Sequence, residues 1–181
     1  MKRIVCWFLC LVLMLSVTTV LAEDAFDTSA DTKQVEELGV PTLASVQKLK
    51  SEADALWNQK KYSDAAAAYA IYAKQVNWLA NLVSAGLDPY YNASSSDRKG
   101  YYPSDTTMRT SALAKHEDKA NRYKIERNRA IMREGLCYYY LKDYESALPL
   151  LLKALDLFSL DDNEVANWKT TMTALYDIIG Y

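Results

Sequence analysis

Beyond the N-terminal segment that holds Cys6 and Cys10, the candidates for nucleophilic or metal chemistry are His116 and Cys137, and neither lies in a pattern that catalysis or metal binding requires. His116 is the only histidine, and no second histidine follows one helical turn later, as a zinc-protease motif demands. Its helical stripe with Ala120 and Tyr123 instead predicts a side chain that points inward or toward a partner, and a lone histidine on such a face is typically packed and hydrogen-bonded. Cys137 has no partner motif that would make it a nucleophile. We therefore predict no enzyme activity, no metal site and no cofactor.

The composition limits both the fold and the partners. The 181 residues carry a net charge of −2 and contain only five glycines and four prolines. So few helix breakers, together with abundant alanine and leucine, predict an all-α protein. A charge this mild and negative does not indicate a nucleic-acid partner.

The N-terminus has the features of an export signal. Two basic residues precede an apolar run over residues 4–17, and the sequence ending at Ala22 suits a signal peptidase. We predict that residues 1–22 are a signal peptide and that residues 23–40 are a flexible leader. The protein would then be exported, to the periplasm or the medium. The alternative is an uncleaved segment that holds the chain at the membrane.

The remaining sequence predicts about five helices. Apolar spacing and turn residues indicate a first helical hairpin over 42–86, a loop over 87–104, a second hairpin over 105–159 and a capping helix over 162–180. Gly86 is expected to end the first hairpin in the left-handed conformation.

The capping helix is expected to begin with a capping-box-like pair, Asp161 and Glu164. An apolar stripe predicts which of its side chains face the core, and Asn167 falls on the opposite, solvent side. The stripe consists of Val165, Trp168, Met172, Leu175 and Ile179.

The two hairpins carry the same residue pattern at an offset of 82 positions. Small residues recur at matched places, and small residues allow two antiparallel helices to pack closely. The first copy contains Ala53, Leu56, Lys60, Tyr62, Ala65 and Tyr69. The second copy contains Gly135, Tyr138, Lys142, Tyr144, Ala147 and Leu151.

This pattern is similar to that of the tetratricopeptide repeat family. The second copy matches it well, and the first departs from it at Tyr72, where the family prefers alanine. Tandem repeats of that family recur at about 34 residues, so the longer offset here implies an insertion. The resemblance implies an all-α bundle of two unequal hairpins closed by the capping helix, and a role in binding other proteins.

The resemblance also implies a binding groove lined by outward side chains of the first helix of each hairpin. Trp57 and Tyr139 occupy matched positions and are the expected anchors, although a core role for both stays open. The implied groove residues are Gln47, Lys50, Asp54, Trp57, Asn58, Arg129, Met132, Leu136, Tyr139 and Tyr140. The Lys/Asn carboxylate clamp of some family members is not reproduced, because Asp54 and Leu136 stand where its asparagines would be.

Two further features could bind something. Five cations and Glu126 follow one face of the long helix, either as a solvated stripe or as a surface for an acidic partner or anionic headgroups. They are Lys115, Lys119, Arg122, Arg129 and Arg133. Tyr90, Tyr91, Tyr101 and Tyr102 flank a serine-rich loop, a composition found on adaptable binding surfaces.

These observations leave two hypotheses. The first is an exported, non-enzymatic scaffold of the cell envelope that binds another protein through the helical groove. The second is a helical protein that binds a small ligand beneath the tyrosine-rich loop. Contact with a membrane is expected only through an uncleaved signal segment or the basic helix face.

Overall fold

Helices make up most of the chain that the computed structural model describes, namely residues 37–94, 96, 112–159 and 164–181. The helices are α1 (Leu43–Asn58), α2 (Tyr62–Ala85), α3 (Asp88–Tyr91), α4 (Ala112–Tyr140), α5 (Tyr144–Leu157) and α6 (Val165–Ile179). Within those ranges there is no strand, which confirms the predicted all-α fold. The predicted signal peptide lies outside the described residues, as does most of the leader.

The turns that close the two hairpins have the same geometry. Lys60 and Lys142, at matched positions, both adopt the left-handed conformation, with φ of 58° and 63°. The amide of each donates to a carbonyl three residues earlier, and the next amide donates to a carbonyl five residues earlier. This pairing satisfies the last carbonyls of α1 and α4 without glycine. The repeat in the sequence is therefore also a repeat in backbone structure.

The repeated small residues lie at the helix contacts. Ala53, Ala65 and Ala147 are fully buried. A Cβ atom added to Gly135 would lie 3.0 Å from Leu151 Cδ2, so α4 and α5 approach as closely as a glycine permits. The most extensive packing joins α2 to α4, and α1 and α5 flank that pair.

The end of α2 differs from the prediction. Gly86 has a φ of −63° and remains in the right-handed helical region, so its expected left-handed conformation is wrong. Leu87 is buried, and the chain continues directly into the single turn of α3. Because Leu87 is buried, the chain stays against the bundle after Gly86. This explains why no loop begins there. The segment predicted as a loop over 87–104 thus begins with a helical turn.

The buried face of α6 also differs from the predicted apolar stripe. Ile179 is 64% exposed, whereas Thr171 is fully buried. Asn167, predicted to face water, is only half-exposed and lines a cavity described below. The helix is rotated so that polar groups near its N-terminus reach α4.

All six helices belong to one compact unit, Gly39–Tyr181. In the described ranges, no helix combines the length and apolar character needed to cross a membrane.

Candidate functional site

An open cavity lies where α1, α2, α4 and α6 meet, with a volume of about 460 Å³. We call it the central cavity. Its charged lining residues are Lys50, Asp54, Glu126, Arg129 and Arg133. Its aromatic and other side chains are Trp57, Asn58, Tyr69, Tyr72, Met132 and Asn167. Six residues of the predicted groove therefore line it: Lys50, Asp54, Trp57, Asn58, Arg129 and Met132.

Asp54 is held on one side of the central cavity by two donors. Tyr69 Oη donates to Asp54 Oδ1 at 2.7 Å, and Lys50 Nζ donates to Asp54 Oδ2 at 2.7 Å. Burial of Tyr69, together with the adjacent carboxylate, raises the pKa of this phenol above its usual 10.0. Tyr69 therefore stays a neutral donor, and Asp54 has a fixed orientation.

Glu126 is held in a similar way by α2 and by its own helix. Tyr72 Oη donates to Glu126 Oε2 at 3.0 Å, and Arg129 Nη1 donates to Oε1 at 3.3 Å. Burial of Tyr72, with the charge of Glu126 beside it, raises the pKa of this phenol. The tyrosine that departs from the repeat pattern thus joins α2 to α4 across the floor of the cavity.

Arg129 also ties the cavity to α6. Its Nε and Nη2 both donate to Glu164 Oε1, at 3.0 and 2.6 Å, and Asn167 Nδ2 donates to Oε2 at 3.1 Å. Partial burial lowers the pKa of Arg129, but its hydrogen bonds to Glu164 and the charges of Glu164 and Glu126 outweigh it and raise that pKa. Glu164 is 2% exposed, so its side chain holds α6 on α4. Its predicted capping partner, Asp161, lies outside the described residues.

We expect Glu164→Gln to lower the free energy of unfolding by about 1–2 kcal/mol, because the amide cannot match the charge-assisted bonds to the half-exposed Arg129. Urea unfolding followed by circular dichroism measures this. Glu52→Gln is the matched control, since its ion pair with Lys48 is exposed and worth no more than about 0.5 kcal/mol. Equal stability of the two variants would contradict the proposed role of Glu164.

Arg133 lies one helical turn beyond Arg129 and has a different environment. Its guanidinium Cζ atom is 4.4 Å from the centre of the Trp57 ring, a cation–π distance. Within the described part of the chain, no carboxylate or other acceptor binds it. Its charge still acts on Tyr69, where it opposes the increase in pKa. Arg133 is therefore positioned by stacking and keeps its hydrogen-bond donors available.

Trp57 is the centre of an aromatic cluster that begins in the central cavity and continues to Tyr62 and Tyr140, which do not line it. Its ring makes edge contacts with Tyr62, Tyr69 and Tyr140 at centroid distances of 5.6, 6.3 and 5.7 Å. Tyr140 also stacks on Tyr62 at 4.9 Å. These contacts fix the orientation of the Trp57 ring, and with it the platform under Arg133.

The other predicted groove residues lie elsewhere. Tyr139 Oη donates to Asp177 Oδ2 at 2.7 Å, and this bond raises the pKa of Tyr139 to about 12. Neither Tyr139 nor Tyr140 lines the central cavity. Leu136 is buried, and Gln47 is exposed but outside the cavity lining. The matched positions 57 and 139 therefore have different surroundings.

The tyrosine-rich loop is described only at its start. Tyr101 and Tyr102 lie outside the described residues, as does the side chain of Tyr90. Tyr91 is exposed and donates a hydrogen bond to Glu117 on α4. It lines neither cavity described here.

The two candidate reactive side chains, His116 and Cys137, have different surroundings. His116 is exposed, so it is not the packed, inward-facing side chain expected, although Ala120 on the same stripe is buried. Cys137 is fully buried, and burial raises the pKa of its thiol to about 12, which makes the thiolate scarce. No cluster of metal-ligating side chains is found in the described ranges.

A second cavity, of about 390 Å³, lies between α2, α4 and α5. Lys74, Arg127, Glu134 and Lys153 are its charged residues, and Ile131, Leu150 and Leu157 form apolar walls. Burial raises the pKa of Glu134, and Lys153 opposes this increase. None of the groove residues predicted from the sequence lies there.

Six residues line the central cavity without having been predicted as groove residues: Tyr69, Tyr72, Glu126, Ala130, Arg133 and Asn167. Tyr69 was named only as a position of the repeat pattern; its ring is buried, and its hydroxyl bonds to Asp54 in the cavity. Glu126 and Arg133 were assigned to the basic face of the long helix. That face divides in the structure, because Lys115, Lys119 and Arg122 are exposed whereas Arg129 and Arg133 line the central cavity. The four-residue spacing of Arg129 and Arg133 places both on one side of a helix, and this spacing could have indicated that they share a site.

Comparison with known proteins adds no family assignment: no protein-family model, curated protein or solved structure matches this chain. The fold and the central cavity define the chain as an all-α bundle with an internal two-hairpin repeat. The similarity to tetratricopeptide repeats remains a prediction from the sequence pattern.

Proposed function

We propose that this chain is a non-enzymatic binding protein that holds a segment of another protein in the central cavity. The observation that carries the proposal is the cavity lining, in which fixed charges surround a positioned aromatic side chain. Large aromatic side chains and arginine dominate the energetics of protein interfaces. A lining that is already hydrogen-bonded loses little conformational entropy when a partner binds.

The location of the partner and the chemistry of the bound segment also follow. If the N-terminal segment is an export signal, the partner is a periplasmic, secreted or envelope protein. The cavity carries both charge signs and a tryptophan, which suits a peptide segment of mixed character better than a purely apolar ligand. Asn58 lies at the exposed C-terminal end of α1 and lines the cavity, so it marks the entrance.

Site-specific photo-cross-linking tests this function. A benzoylphenylalanine residue at position 58 is expected to give a defined cross-linked partner in the cells that produce the protein. The same residue at position 152, where Leu152 is exposed on α5, is the control and is expected to give none. A synthetic peptide of the cross-linked segment should bind the purified chain and lose at least about tenfold in affinity on Trp57→Ala. Equal adducts from both positions, or none from position 58, would reject the proposal.

A further inference from the structure

Arg133 is the one cavity cation whose charge is not already engaged by a carboxylate in the described residues. Lys50 is paired with Asp54 at 2.7 Å, and Arg129 is paired with Glu126 and Glu164. Arg133 stacks on Trp57 and has no acceptor in the described ranges. Polar groups in partly buried sites are normally hydrogen-bonded, so the donors of Arg133 are available to an incoming acceptor.

The geometry favours a planar acceptor. The Trp57 ring lies on one side of the guanidinium, with its centre 4.4 Å from Cζ, and the donors directed away from the ring can bind an incoming acceptor. A guanidinium edge matches the two oxygens of a carboxylate in a bidentate arrangement. Trp57 also offers an aromatic surface beside that edge, against which an apolar neighbour of the carboxylate would pack.

The paired carboxylates of the cavity favour a singly charged ligand. Asp54 is paired with Lys50, and Glu126 and Glu164 are paired with Arg129, so within the described residues Arg133 is the one lining cation without a carboxylate. A monoanionic carboxylate matches this single charge. A phosphate dianion would bring twice the charge near Asp54 and Glu126 and would be repelled more strongly.

We propose that Arg133, held by Trp57, binds a carboxylate of the partner segment in the central cavity. This inference rests on the proposed function and specifies the chemistry of the partner. The carboxylate comes either from the C-terminus of the partner or from an aspartate or glutamate side chain next to an apolar residue. Both sources present the same pair of oxygens to the guanidinium edge.

Small probes of defined charge test the site in the purified chain. N-acetylphenylalanine carries a main-chain carboxylate, and its amide is the neutral counterpart. N-acetylglutamyl-phenylalaninamide carries its only carboxylate on a side chain, and inorganic phosphate is the competing anion. Each is titrated while the Nε–H resonances of the arginines are followed by NMR. We expect both carboxylates to shift the Arg133 resonance and the neutral amide to leave it unchanged, and the tighter carboxylate identifies the source.

Variants separate this site from general charge effects. Arg133→Gln should weaken carboxylate binding by about tenfold or more, because it removes a charge-assisted bidentate pair. Arg133→Lys should retain part of the affinity, since it keeps the charge and loses the planar edge. Arg122→Gln is the matched control on the same helix, because Arg122 is exposed and outside the cavity, and it should bind as the wild type does. Circular dichroism verifies that each variant is folded.

Equal binding of the amide and the acid, tighter binding of phosphate, or full affinity in Arg133→Gln would overturn this inference. If no carboxylate probe binds while position 58 still cross-links a partner, the carboxylate site is wrong and the proposed function stands. If the carboxylates bind at Arg133 but position 58 yields no partner, the proposed function fails and the carboxylate site stands.

Discussion

Leu151→Ala is expected to lower the free energy of unfolding by about 3 kcal/mol, within the range of about 2–5 kcal/mol seen for buried leucines. Leu151 is fully buried and lies against Gly135, where a Cβ atom would come within 3.0 Å of its side chain. Truncation leaves a cavity that this contact cannot close, because the helix backbones are already as near as glycine allows. Urea unfolding followed by far-ultraviolet circular dichroism measures the change.

The neighbouring leucine provides the control for this prediction. Leu152 is 54% exposed, so Leu152→Ala removes little buried area and gains helix propensity. Its effect should stay within about 0.5 kcal/mol. Both variants should unfold with the same dependence on urea as the parent protein, which shows that only stability has changed. A similar loss in the two variants would show that the α4–α5 contact is not the source of stability.

The helices were predictable because local signals mark their ends. Asp143 accepts from the amide of Ser146 and precedes α5, and aspartate is a preferred residue at that position. The matched turns at Lys60 and Lys142 lie where the repeat placed them. Such features depend on residues a few positions apart, which a single sequence contains in full.

The face that α6 buries could not be predicted in the same way. A count of apolar residues chose Ile179 and rejected Asn167. In the structure Ile179 is exposed and Asn167 is partly buried, next to the contact that joins buried Glu164 on α6 to half-exposed Arg129 on α4. The two residues are 35 positions apart, and nothing local in the sequence connects them.

The central cavity was predictable only in part, because some of its side chains are fixed by hydrogen bonds between helices that are distant in the sequence. The resemblance to tetratricopeptide repeats implied that Asp54, Trp57 and Arg129 lie on outward faces, and these residues do line it. The hydroxyl groups of Tyr69 and Tyr72 complete the site, but their partners Asp54 and Glu126 lie on other helices. A burial pattern identifies a tyrosine ring as core and carries no information about where its hydroxyl points.

The chain is expected to lose stability steeply above pH 10, because Tyr69 and Tyr72 are held neutral in the folded state. Burial raises the pKa of each above 10.0, whereas in the unfolded chain both ionise near that value. The stabilising contribution is complete below pH 10 and is lost as pH rises through the folded pKa. Each group adds a slope of about 1.4 kcal/mol per pH unit. Cys137 adds to this slope from pH 9 upward, because burial raises the pKa of its thiol to about 12.

The double variant Tyr69→Phe/Tyr72→Phe isolates the contribution of the two phenols. At neutral pH it should be less stable than the parent by about 1–3 kcal/mol, because two hydrogen bonds to carboxylates are lost. Between pH 10 and 11 its stability should fall less steeply, by up to about 2.7 kcal/mol per pH unit, since it has no buried phenols to ionise. Urea titrations at several pH values measure both quantities. Tyr181→Phe is the control, since Tyr181 is 95% exposed, and it should leave the slope unchanged. If the stability of the double variant fell with pH as steeply as that of the parent, the prediction would be wrong. That result would show that the two phenols are accessible enough to water to ionise in the folded state.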